Sequence, residues 1–542
     1  MTRRTWLLCL IPFALSAQVT SDQLVKAAQD PKNWLTYNGS YMSQSYSTLA
    51  QITPANAKNL EQKWVFQVDS LQKFENRPLV VNGVMYLTQP PNDVVALDAR
   101  TGRAFWMYRY NNAADARHCC GAINRGLAIL GDTLFMGTVD AHLVAIDARS
   151  GRPLWDTKVA EGNAGYALTL APLVVKDKVI VGVAGGEYGI RGFIAAYDVK
   201  TGKEAWKFYT IPGPGEPGHD TWEGDTWKFG GASIWVTGSY DPELNLTYWG
   251  IGNPGPDWNP SQRKGANLYS DSVVALDADT GKLKWHFQFT PNDPYDYDSV
   301  QVPVLVDTAW RGRPRKLMLW ANRNGFYYVL DRVTGEFLSG NSFVKVTWAK
   351  GLDDAGKPIV TPQPTNTPVF PGVQGGTNWY SPSYSPRTGL FYISAWEDYA
   401  SIFLPQEVEY KEGLSFTGGR PVAPIIGARS PSLRANQINA GAAESIGYGS
   451  VLAIDVRTGQ KKWKFDMIDV TDAGILTTAS DVLFTGGREG YFHALDARTG
   501  ALLWKGSVGG QVSAAPVTYE LDGKQYVAVA AGHAMFVYGL RE

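Results

Sequence analysis

Short apolar runs recur along the chain, and most end the same way: an Asp, a turn closed by Thr-Gly or Ser-Gly, then a strand carrying a Trp. Written Ala-x-Asp-x-x-x-Gly-x-x-x-Trp, the pattern fits Ala96-Asp98-Gly102-Trp106, Ala145-Asp147-Gly151-Trp155, Ala196-Asp198-Gly202-Trp206, Ala275-Asp277-Gly281-Trp285, Ala453-Asp455-Gly459-Trp463 and Ala494-Asp496-Gly500-Trp504. A seventh copy, Val329-Asp331-Gly335, lacks the Trp, and Ser385 to Gly389 resembles an eighth, more degenerate turn. Runs such as VVALD and LVAID read as buried strands. Asp accepts turn N–H bonds and Gly takes positive φ, so each copy predicts a hairpin.

Repeats set the fold before length does. Asp98 to Asp147 is 49 residues, Asp147 to Asp198 is 51 and Asp455 to Asp496 is 41, which suits one four-stranded blade per copy with insertions in the longer gaps. The predicted fold is therefore all-β, an eight-bladed β-propeller. Each Trp is expected to dock on the neighbouring blade, burying apolar area worth about 2–3 kcal/mol. The segment from Tyr37 to Trp64 precedes the first full copy and is expected to close the ring against the C-terminal blade, leaving no open edge. The 19 Trp, 27 Tyr, 21 Phe and 57 Gly agree with many short strands and tight turns.

The first residues, MTRRTWLLCLIPFALSAQ, place Arg3 and Arg4 before an apolar run ending in small residues, the layout of an export signal cut near Ser16 or Ala17. The run is too short to span a bilayer, so no permanent membrane anchor is expected. Thr2-Arg3-Arg4-Thr5-Trp6-Leu7 also resembles a twin-arginine signal, which leaves the export route open. Residues 1–17 are read as the signal and 18–542 as one propeller domain bound for the periplasm. With 50 basic and 51 acidic residues, nothing in the charge points to nucleic acid as a partner.

Function has to come from residues that break the repeat. His118-Cys119-Cys120-Gly121 holds the two cysteines that remain once Cys9 leaves with the signal, and an oxidising compartment would let them bond each other or a partner. Gly182 to Gly192 contains Glu187, and Trp249-Gly-Ile-Gly-Asn253 contains Asn253; taken singly, each is an ordinary turn residue, though both offer the oxygen ligands a hard cation prefers. Trp235, in Gly230-Gly-Ala-Ser-Ile-Trp235, does not end an Asp-Gly turn. The cluster Asp293-Pro-Tyr-Asp296-Tyr-Asp298 is more acidic than a propeller turn needs, although a solvated loop is its plain alternative.

Together with the Trp-ended repeats these motifs resemble the pyrroloquinoline-quinone alcohol dehydrogenases, the soluble methanol and ethanol dehydrogenase family, over essentially the whole mature chain. The resemblance implies a quinone lying between a Cys119–Cys120 disulfide and Trp235, beside a metal ion. It implies metal ligands Glu187, Asn253, Asp296 and Asp298. Cofactor contacts are implied for Glu75, Arg125, Thr169, Ala184, Gly185, Gly186, Ser233, Arg323, Asn378 and Trp379. Ala184 stands where methanol dehydrogenases have Ser, and Ser233 replaces a Thr. The stretch from Asp472 to Ser480 departs from the family's Gly-rich pattern.

The implied reaction oxidises a small alcohol to the aldehyde, with Asp296 taking the hydroxyl proton, the carbinol hydrogen passing to the quinone as hydride, and Arg323 favouring negative charge on the quinone oxygens. Lanthanide-dependent members carry Asp two residues after the catalytic Asp, where calcium-dependent methanol dehydrogenases have a small neutral residue. Asp298 therefore favours a lanthanide, with calcium as the alternative. No Cys-x-x-Cys-His occurs, so a separate soluble cytochrome c is the expected electron acceptor. A homodimer is compatible with this reading. Two rivals are a scaffold of the outer-membrane-assembly kind, which needs none of these site residues, and a quinoprotein dehydrogenase for sugars or polyols, which lacks the adjacent cysteines. The segment from Tyr399 to Gly449 carries no repeat and is read as surface loops.

Overall fold

Eight sheets, each built on four antiparallel strands and one extended by a short parallel fifth, form the blades of a propeller in the computed structural model, which describes residues 19–364, 366–422 and 447–541. The signal segment expected at residues 1–17 lies outside the described residues. In the first blade, strands Leu79–Val81, Val84–Gln89, Asp93–Asp98 and Ala104–Tyr108 pair in sequence order. The inner strands are buried along both faces because sheets pack on either side, which is why VVALD runs without polar alternation. The outer strand faces solvent along one edge and is correspondingly more exposed.

Each repeat Asp holds its turn as expected: Asp147 Oδ1 accepts from the Ser150 N–H at 2.7 Å, the Ser150 hydroxyl at 2.7 Å and the Arg149 N–H at 3.1 Å. Each Trp docks on the next blade. Trp106 lies over Gly151 and donates its indole N–H to the Ala148 carbonyl at 3.2 Å. Trp155, Trp206, Trp285 and Trp463 repeat this with the carbonyls of Val199, Ala278, Arg332 and Ala497. Trp64 does the same with Ala99 although it stands outside the full repeats. Where the Trp is missing, Ser339 takes its register position and Asn341 faces Gly459 instead.

The turn glycine is therefore required twice over. At Gly500 φ is +76°, and an added Cβ would stand 2.5 Å from the Trp463 ring. Gly500→Ala is expected to cost about 2 kcal/mol or more, read as a lower midpoint of denaturation, while the same change at Gly389, which has open space around it, costs only the backbone term.

Ring closure follows the expectation for the N-terminal segment. Leu60–Gln67 pairs antiparallel with Ala534–Leu540 to complete the last blade, and Tyr46–Ser47 pairs parallel with Leu476–Thr478 of the blade before it. Two expectations change. The turn from Ser385 to Gly389 is not an eighth copy of the repeat: it joins Ser383–Ser385 to Leu390–Glu397, the first two strands of the blade whose repeat turn is at Asp455. The eighth blade has no such turn because its outer strand comes from the other end of the chain. Nor is the segment after Tyr399 all loop, since Ile402–Pro405 pairs with Gly419–Val422. That hairpin reaches the centre of the molecule, where the Phe416 N–H donates to the Glu187 carbonyl at 2.7 Å. The remainder of that segment, residues 423–446, lies outside the described residues. Among the described residues no helix is long and apolar enough to cross a membrane.

Candidate active site

A cleft of about 270 Å³ opens where loops from several blades converge. Its wall includes fifteen of the expected residues: Glu75, Cys119, Cys120, Arg125, Thr169 and Ala184 on one stretch of chain, then Gly185, Glu187, Ser233, Trp235, Asp296, Asp298, Arg323, Asn378 and Trp379. They span more than three hundred residues of sequence and meet only because the propeller brings its loops to one end. Two expected residues, Gly186 and Asn253, fall outside the lining. Gly186 opens the short turn Gly186–Tyr188 that presents Glu187, and Asn253 is buried behind the wall, where its backbone N–H holds Asp298 and its side-chain amide lies beside Asp257.

Arg323 organises the acidic end. Its Nη1 donates to Asp298 Oδ2 at 2.7 Å and its Nη2 to Asp296 Oδ2 at 3.1 Å, while Nε and Nη2 hold the Val373 carbonyl at 3.1 and 2.6 Å. The Asn253 N–H donates to the other oxygen of Asp298 at 2.9 Å, and the Trp235 indole also hydrogen-bonds this carboxylate. Backbone must approach closely here: a Cβ on Gly252 would stand 2.3 Å from Asp298 Oδ1. Asp296 sits at φ +61°, a conformation Asp tolerates better than most side chains, and its side chain is more exposed to the cleft than that of Asp298.

Six acidic side chains gather around this point, Glu187, Asp257, Asp271, Asp293, Asp296 and Asp298, with Arg263 and Arg323 as the cations among them. Burial pushes Glu187 up to about 7, with Asp298 adding to the rise. Burial likewise raises Asp296, which Arg323 opposes, and Asp257, whose rise Glu187 and Asp298 reinforce. Asp271 is fully buried, and neither of its carboxylate oxygens has a hydrogen-bond partner among the described residues. So much uncompensated acid in one place fits a multiply charged cation, and an all-oxygen set of carboxylates plus an amide is the chemistry of a hard one.

The other end of the cleft is cationic and aromatic. Arg125 donates to Thr169 Oγ1 at 3.1 Å and to the Trp235 carbonyl at 3.2 Å, and pairs with Glu75 at 2.8 Å. Its guanidinium lies 4.9 Å from the Trp235 ring centre and 4.7 Å from that of Trp379. Cys119 and Cys120 are bonded to each other, which settles the alternative left open by the sequence, and Cys120 Sγ lies 3.6 Å from Glu187 Oε1. Flat aromatic surface, an arginine and an adjacent disulfide around one slot suit a planar anionic ring system.

Sequence reasoning missed Lys73, His118, Ile123, Ala167 and Gln374 in the lining. It also missed Asp257 and Asp271 behind it. His118 stands one residue, and Lys73, Ile123 and Ala167 two residues, from residues already singled out, so proximity could have flagged them; nothing in the repeat marks Gln374, Asp257 or Asp271.

The family model described as "PQQ: Glucose/ethanol/alcohol dehydrogenase, beta-propeller domain" matches residues 34–347 and 338–527. The chain belongs to the pyrroloquinoline-quinone-dependent alcohol dehydrogenases. It is 38% identical to the quinoprotein alcohol dehydrogenase PedH of Pseudomonas putida, over 96% of this chain and 90% of that protein. It is 36% identical to the lanthanide-dependent methanol dehydrogenase of Methylacidiphilum fumariolicum, over 96% and 88%. Among solved structures, a europium-containing methanol dehydrogenase superposes with a TM-score of 0.87 at 32% identity, covering 96% of this chain and all of that one. A quinohemoprotein alcohol dehydrogenase of Comamonas testosteroni is 39% identical over 95% of this chain but only 74% of its own length. As a family member, this chain oxidises alcohols with pyrroloquinoline quinone.

Proposed function

We propose that this quinoprotein acts in the periplasm on a small primary alcohol, holds a lanthanide ion beside its quinone, and passes electrons to a soluble cytochrome c. The observation that carries the metal assignment is Asp298, buried two residues from Asp296 and sharing Arg323 with it. It adds one negative charge to a set that already holds Glu187 and Asp296, as a trivalent ion requires. The similarity to a lanthanide-dependent and a europium-containing methanol dehydrogenase supports the same reading. Calcium is the alternative.

Glu187, Asn253, Asp296 and Asp298 would hold the ion, and Glu75, Arg125, Thr169, Ser233, Trp235, Asn378, Trp379 and the disulfide would hold the quinone. Gly186 serves by shaping the Glu187 turn. A quinone bound there would supply an electrophilic acceptor for the hydride of the alcohol carbon. Asp296, open to the cleft, takes the hydroxyl proton as that C–H bond breaks, so the alcohol leaves as the aldehyde. Arg323 opposes the effect of burial on Asp296 and so favours the anionic form that can accept the proton. Its remaining N–H bonds to the Val373 carbonyl fix the guanidinium so that it need not reorient during the reaction.

The mature chain reconstituted with the quinone and either lanthanum or calcium, and followed by dye reduction, tests the reading. Turnover of methanol or ethanol with lanthanum, and little with a sugar, is the expected result. Equal turnover with calcium overturns the metal assignment, and preference for the sugar overturns the substrate class.

A further inference from the structure

Lys73 lines the cleft at its cationic end, and no role for it follows from the reading above. Its Nζ lies 2.9 Å from Glu75 Oε1, 3.4 Å from Asp472 Oδ2 and 5.7 Å from the centre of the Trp379 ring. The two carboxylates are buried to within 2% of complete, whereas the lysine side chain is 40% exposed, so the lysine is the member of the trio that faces the cleft.

Asp472 is fixed from four sides. It accepts from the Tyr380 hydroxyl at 2.9 Å, from Arg488 Nε at 3.1 Å and Nη2 at 2.9 Å, and from the Gln511 amide. Arg488 therefore neutralises Asp472, as Arg125 neutralises Glu75. Among these five side chains Lys73, Arg125 and Arg488 oppose Glu75 and Asp472, three positive charges against two negative, so the set holds one positive charge more than its two carboxylates balance. Without Lys73 the set would balance. The opposite end is acidic and suited to a metal, and Arg323 is already committed to Asp296 and Asp298. Pyrroloquinoline quinone bears three carboxylates, which need cations on this side.

We propose that Lys73 is a further anchor for the cofactor, its ammonium binding a quinone carboxylate next to Arg125 while Glu75 and Asp472 hold it at the cleft. The proposal rests on the quinone reading of the site. It also assigns the stretch beginning at Asp472, which departs from the family's Gly-rich pattern, a purpose: Asp472 is a positioning residue for Lys73.

The test titrates the metal-loaded, quinone-free full chain with pyrroloquinoline quinone and with its trimethyl ester, read by quenching of tryptophan fluorescence. Lys73→Gln should weaken binding of the free acid by about 10–100-fold, the range for loss of one charge-assisted hydrogen bond in a partly buried site. It should change binding of the ester less than about threefold, and Lys73→Arg should recover most of the loss. Equal weakening toward acid and ester would mean that Lys73 only props the wall, and unchanged binding of the acid would mean that it does not reach the cofactor; either overturns the proposal. A wild-type chain that binds neither form would overturn the quinone reading itself, and the anchor with it.

Discussion

Asp296→Asn should abolish most alcohol oxidation, lowering kcat by about 10³-fold, while the protein still folds and still binds the quinone. The magnitude is that of removing a general base from its station. Asn is the appropriate replacement because position 296 has φ +61°, which Asn adopts nearly as readily as Asp, whereas Ala would add backbone strain. Its amide oxygen can still accept from Arg323 Nη2, so the guanidinium keeps its bonds to Asp298 and Val373. The measurement is steady-state dye reduction at saturating quinone, with metal content and the bound-quinone spectrum recorded on the same sample. Unchanged metal and quinone with collapsed turnover identifies a proton acceptor. Turnover within about tenfold of wild type would assign that role elsewhere, and loss of the metal along with turnover would make Asp296 chiefly a ligand.

Asp298→Asn should separate the two metals. The Asn oxygen preserves an acceptor for the Asn253 N–H, which in an alanine variant would be left buried and unsatisfied. What disappears is one negative charge. At a ligand distance of about 2.5 Å and an effective dielectric of about 20, a carboxylate is worth several kcal/mol more to a trivalent than to a divalent ion before desolvation is counted. Lanthanum affinity should fall by about 100-fold or more, with calcium affinity changed far less, as measured by competition with a metal-responsive dye. Loss of both in equal measure would mean that the charge serves Arg323 rather than the ion: burial raises Asp298 and Arg323 lowers it, so the pair is strongly linked before any metal enters.

The repeat could be read from the sequence because each copy is a local object. An apolar strand, an Asp whose carboxylate collects the N–H groups of the next few residues, and a glycine at positive φ depend on neighbours in the chain, and Asp147 with Ser150 behaves as the spacing says it must. The same locality misled at Ser385 to Gly389, where a similar turn joins different strands of a blade that already has its repeat. A turn signal reports a reversal of the chain; which pair of strands it joins depends on what those strands bury.

Sequence by itself determined the propeller, the number of blades, the closing role of the N-terminal segment and most of the residues that line the cleft. Tertiary structure decided the pairings among them. Arg323 takes both Asp296 and Asp298, Arg125 meets the rings of both Trp235 and Trp379, and the Asn253 backbone N–H holds Asp298. Asp271 is left buried without a hydrogen-bond partner among the described residues, and Lys73 meets Asp472 from the far end of the chain. No periodicity announces such contacts, because side chains on loops of different blades are brought together by closure of the ring, and their charges act on one another only after burial has removed the water that would have screened them.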